Sequence, residues 1–138
     1  MQRPYIHKIS FKKFIPGIAW FFLVVYLTCL PGNKLPHITW IINIPEYDKL
    51  IHIGLFGGLT FLFCLPFYRS SFDAVQRLQY FTKIAVAVAI WGLAIEFIQK
   101  YWIPGRSFDL LDWAADSMGS LIAFGFYKTR FITVPKRP

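Results

Sequence analysis

Long, nearly uninterrupted apolar blocks separated by short charged stretches leave this chain little choice of fold. The first block, Phe14 to Leu30, reads FIPGIAWFFLVVYLTCL. Others run from about Leu50 to Tyr68, from about Ile84 to Trp102 and from near Phe108 to near Tyr127. A soluble amphipathic element would intersperse polar residues at a period of about 3.6 or 2. These blocks instead approach the ~20 apolar residues that a helix needs to cross a bilayer core about 30 Å thick. Composition agrees, since 56% hydrophobic and only 16% charged residues is too apolar for an ordinary soluble domain of 138 residues. The expected fold is all-α, a four-transmembrane-helix bundle forming one domain over residues 1–138, with spans at about 14–31, 50–68, 84–102 and 108–127.

The first block could serve as a cleaved signal. However, Tyr26-Leu27-Thr28-Cys29-Leu30-Pro31 offers no small-residue cleavage pattern, so it is expected to be retained. The fourth block is the weakest by hydropathy because it contains Asp109, Asp112 and Asp116. Its Ala114, Ala115, Gly119, Ser120, Ala123 and Gly125 are nonetheless the small residues that membrane helices use for close approach. Gly54 and Gly58 form a GxxxG pair in the second block with the same implication. Cys29 and Cys64 fall at opposite depths, which excludes a disulfide between them.

The net charge of +8 is no nucleic-acid footprint, because the basic residues lie between the apolar blocks rather than along one face. They suit anionic membrane lipids. Counted by connection, Arg3, Lys8, Lys12, Lys13, Arg69, Arg77, Lys83, Lys128, Arg130, Lys136 and Arg137 fall on one side, and Lys34, Lys49, Lys100 and Arg106 on the other. Eleven against four places both termini and the middle loop in the cytoplasm by the positive-inside rule.

With that topology, charge gathers at the outer ends of helices two to four. Asp48, Lys49 and His52 open the second helix, with Asp48 and His52 one turn apart. Glu96 and Gln99 close the third and share a stripe with Gly92. Arg106 lies in the short outer loop, and Asp109, Asp112 and Asp116 stand on one face of the fourth helix. A charge near the centre of a membrane helix costs about 2.5–3.5 kcal/mol on the insertion scale, so Glu96, Asp112 and Asp116 should face the bundle interior and pair. Lys49, His52, Arg106 and Lys100 are the available partners. Asp109 is also suited to cap the fourth helix, and Gln99 to join helices.

These same positions resemble the VanZ-like family of bacterial membrane proteins, named for an accessory protein associated with resistance to the glycopeptide teicoplanin. The resemblance rests on Leu30-Pro31-Gly32, on Asp48-Lys49-x-x-His52, on Glu96-x-x-Gln99 and on Arg106-x-x-Asp109-x-x-Asp112-x-x-x-Asp116-x-x-Gly119. The family often has Tyr where Phe56 stands and Asn where Asp116 stands, so no role requiring a hydroxyl or an amide carries over there. The resemblance implies a multi-pass protein of the bacterial inner membrane and carries no reaction with it.

Three functions are open at the level of sequence. The outer cluster of Asp48, Lys49, His52, Glu96, Gln99, Arg106, Asp109, Asp112 and Asp116 can bind a ligand such as a lipid-linked envelope precursor or a glycopeptide. In that reading Lys49 and Arg106 contact anionic groups, and Glu96 and His52 are the candidates for catalytic acid and base. Alternatively the cluster is an ion-pair lock, for example Glu96 with Arg106, inside a module that pairs with another membrane protein or a second copy of the chain. A small four-helix transporter is the third reading, disfavoured because the charge sits at one end rather than at the midplane. No cofactor is called for, and no metal set is assigned, since Asp109, Asp112 and Asp116 have no further oxygen ligands in an obvious motif.

Overall fold

The computed structural model describes residues 9–31, 34 and 46–132. Arg3, Lys8, Gly32, Lys136 and Arg137 lie outside the described residues. Four α-helices and no strand are present among those described. A 3-10 turn, Phe11–Phe14, leads into α1 (Ile15–Thr28), followed by α2 (Tyr47–Tyr68), α3 (Ala74–Trp102) and α4 (Leu110–Ile132).

Each boundary has a local cause. Pro16 stands in the first turn of α1, where its missing N–H costs nothing. Asp73 and Gln76 form a reciprocal capping box that starts α3 at Ala74, a decade earlier than the apolar pattern suggested. Residues 74–83 are too polar to register as a membrane block, yet the box and the aromatic stack of Phe67 on Tyr80, 4.3 Å between centroids, hold them helical. At the other end, Gly105 adopts a positive φ of 74° in the tight turn between α3 and α4.

The helices run alternately up and down. Phe14, at the start of α1, meets Phe63 and Phe67 near the end of α2. Cys64 of α2, Phe81 of α3 and Tyr127 of α4 form one apolar cluster at that same end. Neither cysteine is disulfide-bonded. The main core lies nearer the opposite end and joins Val24, Leu55, Phe56, Leu59, Val88 and Ile95.

Backbone approach is closest between α2 and α4. A Cβ added at Gly57 would stand 3.1 Å from the carbonyl oxygen of Gly119, and one added at Gly119 would strike the carbonyl of Ile53. The GxxxG expectation is therefore corrected in its residues. Gly54 faces open space, and Gly58 sits against the Trp20 ring of α1 rather than completing a pair with Gly54. Interhelical hydrogen bonds reinforce the packing. Trp20 Nε1 donates to the carbonyl of Leu55 (2.8 Å), Trp113 Nε1 to Ala89 (3.0 Å), Ser120 Oγ to Ala85 (3.1 Å) and Tyr127 OH to Phe61 (3.0 Å).

The outer surface is apolar. Phe22, Tyr26, Ile90, Phe97, Leu121 and Ile122 all point outward, the reverse of a soluble bundle. The segments Phe11–Thr28, Tyr47–Tyr68 and Ala74–Trp102 are each long and apolar enough to cross a membrane. α4 falls outside that set on composition, although its outward residues Leu110, Leu111, Met118, Leu121 and Ile122 are as apolar as those of its neighbours. Its acids Asp112 and Asp116 turn inward and are buried. The chain is thus built as a membrane protein.

Candidate functional site

The alternating topology brings the end of α1, the start of α2, the end of α3 and the start of α4 to one end of the bundle, as the polar residues required. Lys49, in the first turn of α2, places its ammonium 2.8 Å from Asp48 Oδ2, 2.9 Å from Asp109 Oδ2 and 2.5 Å from Asp112 Oδ1. All three of its protons are thereby engaged. Lys49 is therefore a centre that holds carboxylates together, and in this arrangement its ammonium is not free to contact an anionic ligand.

Asp109 joins three helices. Its Oδ2 accepts from Lys49 of α2, its Oδ1 accepts the N–H of Leu111 (2.8 Å) as an N-cap of α4, and its own N–H donates to Glu96 Oε2 of α3 (2.8 Å). Capping and ion pairing coexist in this residue.

One turn deeper, His52 Nδ1 stands 2.7 Å from Asp116 Oδ1, and His52 Nε2 stands 3.7 Å from Asp112 Oδ2. The imidazole lies nearly parallel to the Phe56 ring, with 6.3 Å between centroids. Asp48 does not join His52; it pairs with Lys49 instead. Glu96, Gln99 and Asp116 are each 0% exposed. Asp116 fits because Gly92 of α3 has no side chain: a Cβ there would lie 2.8 Å from Asp116 Oδ2. The Gly92, Glu96 and Gln99 stripe thus faces inward as its spacing predicts.

The expected partnership of Arg106 and Lys100 with the buried acids is not found among the described residues. Arg106 Nη2 approaches the carbonyl of Thr28 at 3.5 Å, and Gln99 Nε2 donates to the same carbonyl at 2.8 Å, so both tie the end of α1 to the site. The Lys100 ammonium lies over the Tyr101 ring, 5.2 Å from its centroid. The reason is geometric: Glu96 already receives the Asp109 N–H, and the α3–α4 turn carries Arg106 toward α1.

Two tiers result. The outer tier, Lys49 with Asp48, Asp109 and Asp112, is an ion-pair network. The inner tier, His52, Glu96 and Asp116, brings one ligand-type atom from each residue within 4.8 Å of the other two. Glu96 Oε1 and Asp116 Oδ2 are buried and have no hydrogen-bond partner among the described residues. Acceptors outnumber donors, so the site suits cations and hydrogen-bond donors.

The model of the VanZ/LLP1 family matches residues 11–132 of the chain. The chain belongs to the VanZ/LLP1 family. The match takes in every site residue from Asp48 to Asp116, and with them the motifs on which the resemblance was read. No curated protein and no solved structure matches the chain. Within this VanZ/LLP1 chain, the Phe56 ring lies nearly parallel to the His52 imidazole. Asp116 faces His52 with a carboxylate.

Sequence reasoning missed the polar contacts deeper in the bundle. Thr60 Oγ1 donates to Ser120 Oγ (2.9 Å), fully buried between α2 and α4. Isolated hydroxyl residues in apolar blocks carry no spacing signal, so only the helix pairing reveals them. A groove of about 390 Å³ also lies on the outer face of α2 and α4, lined by Gly54, Gly57, Phe61, Ile122 and Phe126 among others. It is apolar and separate from the acidic cluster.

Proposed function

We propose that the cluster is an outward-facing site of a multi-pass protein of the bacterial inner membrane, binding a polar cell-envelope ligand of the glycopeptide or lipid-linked precursor type. In this reading α4 is the fourth span, because its outward face is apolar and its acids turn inward. Both termini are cytoplasmic on the strength of the basic residues. A contribution to glycopeptide resistance follows from family membership together with this placement.

One observation carries the reading: two fully buried carboxylates, Glu96 and Asp116, each keep an oxygen without a partner among the described residues. Buried polar atoms are nearly always satisfied in folded proteins, so a buried carboxylate oxygen with no protein partner calls for a proton, a water, an ion or a ligand, and two such oxygens side by side in one cluster favour the last two. Envelope glycopeptides and precursors are rich in amide, hydroxyl and ammonium donors, which such acceptors suit. Arg106, whose guanidinium is not salt-bridged among the described residues, is the remaining contact for an anionic group. The ion-pair lock survives in this reading as the outer tier, with Lys49 and not Arg106 as its cation.

The test is Glu96→Gln in chains reconstituted into nanodiscs and in the producing cell. Binding of a glycopeptide or lipid-linked precursor, measured by calorimetry, should weaken about tenfold or more, matching the loss of a charge-assisted hydrogen bond worth about 1.5–3 kcal/mol. Protein level should hold and glycopeptide susceptibility should rise. A Glu96→Gln chain that binds and protects like wild type rejects this site.

A further inference from the structure

The two tiers differ in how they balance charge. In the outer tier the Lys49 ammonium meets three carboxylates at 2.5–2.9 Å, and every contact is a hydrogen bond. The inner tier has no permanent cation. Glu96 and Asp116, both without solvent exposure, face one histidine, and a His52 nitrogen and one carboxylate oxygen from each acid fall within 4.8 Å of one another. Two carboxylates buried this close cannot both stay ionised unless positive charge joins them.

We propose that His52, Glu96 and Asp116 hold one divalent transition-metal ion. This rests on the reading of the cluster as the functional site and narrows it: the free oxygens of Glu96 and Asp116 hold an ion, and the envelope ligand's polar groups meet that ion rather than the bare carboxylates. The donor set selects the class. One imidazole nitrogen with carboxylate oxygens suits zinc, manganese or ferrous iron, whereas magnesium and calcium favour oxygen alone. Bonds of about 2.0–2.2 Å place neighbouring ligand atoms on such an ion about 3–4 Å apart, so from a separation of up to 4.8 Å the three side chains would draw in by about 1 Å, a shift within reach of rotamer adjustment.

The surroundings are those of an organised metal site. The Asp109 N–H holds Glu96 Oε2 at 2.8 Å and leaves Oε1, which has no partner among the described residues, for an ion. Asp116 Oδ1 is held by His52 Nδ1 at 2.7 Å and leaves Oδ2 in the same condition. The flat Phe56 ring fixes the plane of the imidazole, and the bare Gly92 backbone admits the Asp116 carboxylate. Such support commonly tunes metal affinity by about 10–100-fold. Asp112 Oδ2, 3.7 Å from His52 Nε2, is the next oxygen outward. No motif announces the set, because its members come from three helices at positions 52, 96 and 116.

Metal analysis of the full chain, purified in detergent, loaded with zinc or manganese and then desalted, tests this. Wild type should retain about one ion per chain. Glu96→Gln, Asp116→Asn and His52→Ala should each retain at least about tenfold less, while Asp73→Asn, at the opposite end of the bundle, should retain the wild-type amount. X-ray absorption at the metal edge should show imidazole and oxygen neighbours. If folded wild type keeps no ion, or all three variants keep as much as wild type, the proposal is overturned. Should a variant fail to fold, the melting temperature of wild type decides: zinc or manganese should raise it and a chelator reverse the rise, and no shift with either metal overturns the site. The readouts separate the two readings. If Glu96→Gln loses the metal but binds the envelope ligand normally, the proposed function falls and the metal site stands. If wild type binds that ligand but never a metal, the reverse holds.

Discussion

Lys49 brings one positive charge against three carboxylates, and its side chain is only 16% exposed. Removing that charge leaves Asp48, Asp109 and Asp112 to repel one another, with water screening the first two (50% and 40% exposed) but little of Asp112 (13%). Lys49→Met should therefore destabilise the bundle by about 2 kcal/mol, between the values typical of exposed and of buried pairs. Adding Asp112→Asn should recover part of the loss, which unfolding of the four members of the cycle in detergent would reveal as coupling. Equal stability of Lys49→Met and wild type would show the network to be ornamental. At this scale the sequence told which residues are buried but not whom they meet. Glu96 was legible because a carboxylate among Trp91, Ala94, Ile95 and Ile98 has to turn inward. Its partner was not, since the Asp109 N–H is a backbone group and leaves no mark in the residue pattern.

Between elements, one contact governs how α2 and α4 approach. A methyl at position 119 would meet the carbonyl of Ile53, which cannot move without moving its helix. Gly119→Ala should cost about 1–3 kcal/mol as an overpacking change. Gly54→Ala meets nothing within 4 Å and should be neutral or gain a few tenths of a kcal/mol from helix propensity. The two variants compared by unfolding in mixed detergent give the order, and the reverse order would contradict this packing. The GxxxG spelling pointed to the wrong glycines because a motif fixes spacing, not azimuth: Gly57, one residue before Gly58, lies about 100° around the helix and faces α4. Helix existence was easier. Three came from block length and the fourth from its small residues; the other bounds shift by no more than five residues, and the start of α3 by ten, because a polar capping box lies outside any apolar pattern.

Taken as a whole, the bundle separates its charges by end. Six of its seven acids gather at the end where α2 and α4 begin and α3 finishes, while Lys12, Lys13, Arg69, Arg77, Lys128 and Arg130 belong to the other end. The positive-inside rule turns this into an orientation. Fluorescent-protein fusions at the C-terminus should glow, and alkaline phosphatase inserted within residues 35–45 should be active. The opposite pattern would invert the site to the cytoplasm. The helices are also joined by an unequal kind of bond: Trp20, Gln99, Trp113, Ser120 and Tyr127 each donate a side-chain proton to a main-chain carbonyl of a neighbouring helix. For a geneticist such a bond has one end that can be broken and one that cannot. Alleles at the donor positions sever it, while a codon change at Leu55, Thr28, Ala89, Ala85 or Phe61 leaves the accepting oxygen in place, so the inheritance of these joints is written on only one side of each interface.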